Sequence, residues 1–342
     1  MATRDIIVIG ASAGGLEAMR ALIGQLPSNL PAAILFVWHI SPDSPSILPE
    51  ILSKSGPLYA SHPNDFEKIE RGRIYVAPPD HHLVVDRGYM RLTRGPKENR
   101  FRPAVDPLFR SAAEVYGPRV IGVILTGNLD DGTAGLWAVK DRGGLAIVQD
   151  PNEALCPSMP RSALQKVQVD YCLPVAEIGH SLARLVTEPI TEKGEQVVPE
   201  EMRIETKIAR EDNALEAGVM KLGRPSAFAC PECHGVLLQL QHEGILRFRC
   251  HTGHAYSVTS LLSEISEKVE DDLWSVIRAM DETLMLMQHI GEHLRDSHDT
   301  EAAELFFQKA RETQQRTQLV RQAVLNHEKF SEDMIGKSQG QA

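Results

Sequence analysis

The β-branched run Ile6-Ile7-Val8-Ile9 leads straight into the small-residue turn Gly10-Ala11-Ser12-Ala13-Gly14, and then into a helical pattern over residues 16–26 closed by Pro27. No other feature constrains the fold as much. A strand without polar alternation has to be covered on both faces, which is the situation of strands in parallel sheets flanked by helices. The pattern recurs down the first half of the chain. Residues 33–38 and 120–125 are further strand runs, followed by helical stretches over 44–53 and 132–142. Residues 145–148 read as another strand, and 108–116 and 178–185 as helices. Short strands are expected at 73–77, 82–85 and 89–92, a hairpin-like segment that departs from the regular alternation. The fold class expected is α/β, a doubly wound and mostly parallel sheet.

The rest of the chain is organised differently. Residues 189–224 are charged and poor in apolar runs, which reads as a linker with one short helix near 201–217. A compact cysteine-bearing module follows at 225–257, leaving 1–188 as the α/β domain. Beyond it the pattern is helical: Leu262, Ile265, Val269, Leu273, Val276 and Met280 recur three or four apart, as do Phe306, Ala310, Thr313 and Thr317. A helical hairpin over 258–334 is expected, its second helix capped by Asp299 or Thr300. Only the last few residues look disordered.

Charge and apolar content exclude several classes. Residues 1–190 hold 19 Lys and Arg against 20 Asp and Glu, and the remainder 17 against 26. An acidic half repels a phosphate backbone, so no nucleic-acid partner is expected. No apolar run approaches the roughly 18 residues needed to span a bilayer, and no cleavable leader is read at the start. Five cysteines in 342 residues do not build a disulfide framework. A cytoplasmic protein without membrane insertion is expected.

Within the turn, Gly10-x-Ser12-x-Gly14 lies between a buried strand and a helix, the setting in which a strained elbow presents a serine nucleophile. A dinucleotide fingerprint would need Gly at position 12. A serine also needs a base and an orienting carboxylate. His39 follows the second strand run, and Asp131 follows the run at 120–125. Singly, each has an ordinary use: a small-residue turn, a polar strand end, a helix N-cap. Three such residues at carboxyl strand ends would converge if the strands were neighbours.

Several segments together carry a resemblance: Val8 to Gly15, His39, Tyr75 to His82, Arg102 to Phe109, Leu125-Thr126-Gly127 with Asp131-Gly132, and Met159-Pro160-Arg161. Over about residues 4–186 the chain resembles the catalytic domain of the CheB family of chemotaxis protein-glutamate methylesterases. The resemblance implies a serine hydrolase that cleaves glutamate methyl esters on the cytoplasmic domain of methyl-accepting chemoreceptors, with receptor glutamine deamidation as a possible second activity. It implies Ser12 as nucleophile, His39 as base and Asp131 as its orienter, with no cofactor for catalysis. Backbone donors near Ala13 and Asn128 would form the oxyanion hole. The family usually has Met-Gly where Asn128-Leu129 stands, and Thr where Ala13 stands. Enteric members carry a receiver domain before this one. Here the first strand begins within a few residues of Met1, so regulation by a separate signalling partner is expected. The alternative is a weakly active or inactive signalling scaffold that works through its C-terminal module.

In that module Cys230-Pro231-Glu232-Cys233 and Cys250-His251-Thr252-Gly253-His254 give C-x2-C, sixteen residues, then C-x3-H. The spacing resembles a zinc ribbon, with Cys230, Cys233, Cys250 and His254 the natural tetrahedral set for one structural zinc and His234 and His251 the competitors. Cys156 and Cys172 stand apart and are expected to be buried apolar residues.

Overall fold

The computed structural model describes residues 2–190, 197–210, 213–242 and 244–327. In chain order the first elements are β1 (Ile6–Ala11), α1 (Gly15–Ile23), β2 (Ala33–Trp38), α2 (Leu48–Ser53), β3 (Tyr59–Ser61) and β4 (Arg73–Val76). The strands β5 (His82–Asp86) and β6 (Tyr89–Thr93) follow, then α3 (Val105–Tyr116), β7 (Val120–Ile124) and α4 (Thr133–Asp141). β8 (Leu145–Gln149), α5 (Ser158–Lys166), β9 (Tyr171–Leu173) and α6 (Val175–Leu185) complete the α/β part.

Seven of these strands form one sheet in the order β3-β4-β2-β1-β7-β8-β9, every neighbouring pair parallel. β5 and β6 form a separate antiparallel ribbon, the expected departure from alternation. Side chains of β1 alternate between two cores. Ile6 and Val8 join Leu108, Phe109 and Val139 on one face, while Ile7 and Ile9 join Met19, Leu22 and Leu182 on the other. This is the doubly wound α/β architecture. β1 sits where the strand order reverses, the position at which such sheets place their ligands.

Elements differ from expectation where local chemistry overrides periodicity. α2 starts at Leu48 rather than residue 44, which puts Pro49 in its first turn, where the missing N–H leaves no helical hydrogen bond unmade. β3 and β9, three residues each at the sheet's two edges, are too short to leave a period, and α5 carries Pro160 in its opening turn.

Residues 189–224 hold α7 (Glu200–Arg210) and α8 (Ala214–Ala217). Ile204 and Ile208 of α7 are buried in a third core with Leu238 and Leu240 of the next sheet. That sheet is antiparallel, in the order β10 (Arg224–Ala229), β11 (Val236–His242), β12 (Ile245–Cys250) and β13 (Ala255–Ser257). Residues 191–196 and 211–212 of the expected linker lie outside the described residues.

The chain divides into two compact units, residues 1–261 and 262–342. The second consists of most of α9 (Val258–Asp296) together with α10 (Thr300–Leu325), whose N-cap is Asp299, accepting from the Ala302 N–H. The pairing face of α9 is rotated from the expected stripe: Ile277 is buried, whereas Leu262, Val269 and Val276 are exposed. On α10 the buried residues are Ala303, Ala310, Thr317 and Val324, a strict seven-residue spacing. Residues 328–334 of the expected hairpin, and the expected disordered tail, lie outside the described residues.

Candidate active site

Ser12 follows the end of β1, His39 the end of β2, and Asp131 the loop after β7. β2, β1 and β7 are adjacent and parallel, so the three loops emerge side by side at one edge of the sheet. The Ser12 turn is tied to the β7 loop by its N–H, which donates to Thr126 O at 3.0 Å. The Trp38 indole closes it from the other side, donating to Ser12 O at 2.7 Å. Gly14 ends the turn at φ 76°, a left-handed conformation that favours glycine, and serves as the N-cap of α1. Ser12, Ala13 and His39 line a common cleft of about 480 Å³, together with Trp38, Lys97, Arg100, Phe101 and Arg102.

His39 Nε2 lies 2.7 Å from Asp131 Oδ2, and the imidazole is 3% exposed. Its other nitrogen, Nδ1, is buried without a hydrogen-bond partner among the described residues. An orphan polar atom of this kind is costly unless it has a use. With Nε2 donating to the carboxylate, Nδ1 carries the lone pair, so the ring is set as a proton acceptor on the side away from Asp131. Phe101 stacks on the imidazole with centroids 3.7 Å apart and planes 13° from parallel.

Asp131 is buried and held by five donors. Oδ2 accepts from His39 and from the Val105 N–H at 2.6 Å, while Oδ1 accepts from Asn99 Nδ2 and the Gly132 N–H, both at 2.9 Å, and from the Asp106 N–H at 3.3 Å. Burial pushes its carboxyl up, but His39, the Val105 N–H and the Asn99 amide together hold it below the usual carboxylate range. Neighbouring Asp106 goes the other way: burial and the Asp131 charge raise it to about 7. The two carboxyls are joined by Asn99, whose Nδ2 also donates to Asp106 Oδ2 at 2.9 Å.

The structure therefore brings Ser12, Ala13 and His39 to one cleft, with Asp131 directly behind His39. Asn128 is exposed on the loop after Gly127 and does not line the cleft. Leu129 beside it has φ 60°, a conformation a glycine would adopt without strain. The sequence reading missed Asn99, Phe101 and Asp106 as parts of the site. Residues 101–106 fall in or beside the quoted stretch from Arg102 to Phe109, so the signal was present without a role attached.

The cysteine cluster is equally definite. Ligand atoms of Cys230, Cys233, Cys250 and His254 all lie within 4.8 Å of one another. Cys233 Sγ and Cys250 Sγ are 3.6 Å apart, and His254 Nδ1 is 3.5 Å from Cys250 Sγ and 3.7 Å from Cys230 Sγ. Zinc bonds of about 2.0 to 2.3 Å give tetrahedral edges of roughly 3.5 to 3.8 Å, so the donor set fits that ion in type and spacing. The competitors His234 and His251 are exposed and outside the set. Cys156 is half-buried and Cys172 exposed, contrary to the expectation of two buried residues.

A family model described as CheB methylesterase matches residues 7–182. The chain is 41% identical over 182 residues to a Leptospira interrogans protein named putative protein-glutamate methylesterase/protein-glutamine glutaminase, covering 53% of this chain and 94% of that one. It is 39% identical over 181 residues to an Anaeromyxobacter dehalogenans protein named protein-glutamate methylesterase/protein-glutamine glutaminase 2, covering 53% of each. Among solved structures, the Thermotoga maritima CheB methylesterase catalytic domain matches with TM-score 0.52 and 36% identity, over 54% of this chain and all of that one. The cysteine cluster and the terminal helices lie outside the residues that the family model matches.

Proposed function

The chain belongs to the CheB methylesterase family, and we propose that it hydrolyses methyl esters of glutamate side chains on a methyl-accepting chemoreceptor through Ser12, His39 and Asp131. The observation that carries this reading is the imidazole held by Asp131 through Nε2, with its other nitrogen buried and unpartnered, on a residue that lines the same cleft as Ser12. Ser12 Oγ attacks the ester carbonyl while His39 takes the hydroxyl proton and Asp131 stabilises the imidazolium. The Ala13 backbone N–H, at the N-terminus of α1, receives the oxyanion; Asn128, expected as the second donor, is exposed and outside the cleft lining, so no share in the oxyanion hole is assigned to it. His39 returns the proton to the departing methoxide, releasing methanol. Water, deprotonated by His39, then cleaves the acyl-enzyme to the free glutamate carboxylate and restores Ser12. Attack on a glutamine amide would follow the same course with ammonia leaving. The receptor domain concerned is cytoplasmic, which puts the reaction in the cytoplasm.

We also propose that Cys230, Cys233, Cys250 and His254 hold one structural zinc. Four protein ligands leave no open position for substrate, so the ion contributes to folding and not to the ester chemistry.

The test is methanol release from a methylated chemoreceptor signalling fragment, wild type beside Ser12→Ala. Release that disappears in the variant is expected. Silence from both, with no Ser12-dependent labelling by a serine-directed phosphonate, would overturn the reading.

A further inference from the structure

The loop between β6 and α3 is gripped from both sides. On the catalytic side Asn99 holds Asp131 and Asp106, and Phe101 stacks on His39. On the other side the same loop is attached to the cysteine module. The Asn99 N–H donates to Ala255 O at 2.7 Å, and the Ala255 N–H donates to Lys97 O at 3.2 Å. Asn99 Oδ1 accepts from the Ser257 N–H at 2.8 Å and from Ser260 Oγ at 3.1 Å. Glu98, buried one residue earlier, accepts from Arg249 at 2.9 Å. Asn99 is 4% exposed and spends its amide donors on the carboxylates and its carbonyl on the module. Its backbone, at φ 50°, is in the left-handed region that asparagine tolerates better than most residues.

The module residues that make these contacts flank two ligands of the cluster. Arg249 precedes Cys250, Ala255 follows His254, and Ser257 is two residues further. The knuckle between Cys250 and His254 is itself braced by Arg249, which donates to Gly253 O at 2.8 Å. Whatever fixes Cys250 and His254 therefore fixes Arg249, Ala255 and Ser257, and through them the amide that orients the catalytic carboxylate.

We propose that Asn99 is a positioning residue for the reaction and that the Cys3His site sets it, so that loss of the metal disarms the esterase. The inference rests on the readings of Ser12 as nucleophile and of the cluster as a zinc site. In metal sites, removing a hydrogen-bond partner that orients a ligand typically costs about 10- to 100-fold, and a loss of that order is expected for the carboxylate that Asn99 orients.

The test uses the full chain in four states: wild type and Asn99→Ala, each loaded with zinc and after chelation under reducing conditions. Labelling of Ser12 by a fluorophosphonate is followed to saturation, and amide hydrogen exchange is measured over residues 97–102. Zinc-loaded Asn99→Ala is expected to keep a full equivalent of zinc and the wild-type half-saturating probe concentration, with a maximal labelling rate lowered about 10- to 100-fold. Chelation of wild type is expected to lower that rate comparably and to expose residues 97–102 to exchange. Chelation of Asn99→Ala should add less than about 3-fold, since both changes remove one contact. Losses that multiply independently overturn the proposal, as does chelated wild type that labels at full rate. Should chelation unfold the unit, Ser260→Ala decides. It spares all four ligands and must still slow maximal labelling, and an unchanged rate there overturns the proposal. Zinc-loaded wild type that fails to label would strike the esterase reading instead. Exchange then decides alone, and residues 97–102 still protected after chelation overturn the coupling.

Discussion

Asp131 and Asp106 carry the same side chain within one hydrogen-bonded cluster, yet they ionise in opposite directions. Both are buried, but Asp131 collects five donors including His39, whereas Asp106 has one donor on each oxygen, from the Gly135 N–H and Asn99, and burial beside the Asp131 charge prevails. The consequences for stability have opposite signs. Asp131, depressed, contributes stability that is present above its ordinary value of 3.8 and lost as acid protonates it in the fold. Asp106, raised to about 7, has its full contribution below 3.8 and loses it as pH climbs toward 7, because the unfolded chain ionises first. The wild-type advantage in unfolding free energy over Asp106→Asn should therefore fall between about pH 4 and pH 7, read from urea midpoints at each pH. A difference that does not vary with pH would refute this assignment. Ser12, His39 and Asp131 were legible in the sequence because each follows a strand run whose direction was itself legible. Asn99 and Asp106 were not. An asparagine in a polar loop and an aspartate in a helix's first turn have common local uses, and only the packed structure gives them a second one.

The strands long enough to show continuous burial were readable, with edges within a residue or two, and the three-residue edge strands were not. α7 was expected as a short helix near 201–217, but its burial was not legible. Its residues Glu200 to Arg210 are mostly charged, and such a stretch is normally solvated. Here Glu205 is 3% exposed, paired bidentately with Arg247 at 2.9 Å on each side and with Arg249 at 2.9 Å. Arg110 of α3 joins through Glu98 at 2.8 Å. Burial raises the Glu205 carboxyl, but Arg247, Arg110 and Arg249 hold it well below the usual carboxylate range. A charge so placed has no hydrophobic signature, because Arg247 and Arg249 come from one strand, β12, some forty residues away. Removing one member leaves buried arginines uncompensated, which costs about 3–5 kcal/mol. Glu205→Ala should lose that much in chemical unfolding of the full chain. A loss below about 1 kcal/mol would mean that α7 is an accessory segment and not part of the first unit's fold.

At the scale of the whole molecule, the α/β sheet and the cysteine module are not two beads on a string. They share one compact unit, with α7 and the loop carrying Asn99 between them. Zinc that binds the folded cluster and not the unfolded chain should then stabilise the sheet as well as its own module, by about 2.7 kcal/mol at a hundredfold excess over its dissociation constant. In a unit of this size each kcal/mol moves the midpoint by roughly 2–4 °C, so chelation should lower it by about 5–10 °C. The three tryptophans allow this to be observed unit by unit. Trp38 and Trp137 belong to the first unit and Trp274 to the second. In Trp274→Phe the remaining emission reports the α/β part, and Trp38 is bonded directly to the Ser12 turn. A tryptophan transition in that variant that moves down with chelator, and returns when zinc is restored, would make the esterase fold and the metal cluster one cooperative structure. A transition indifferent to zinc would leave the module as a separately folding appendage, with its contacts to Asn99 too weak to transmit anything to the serine.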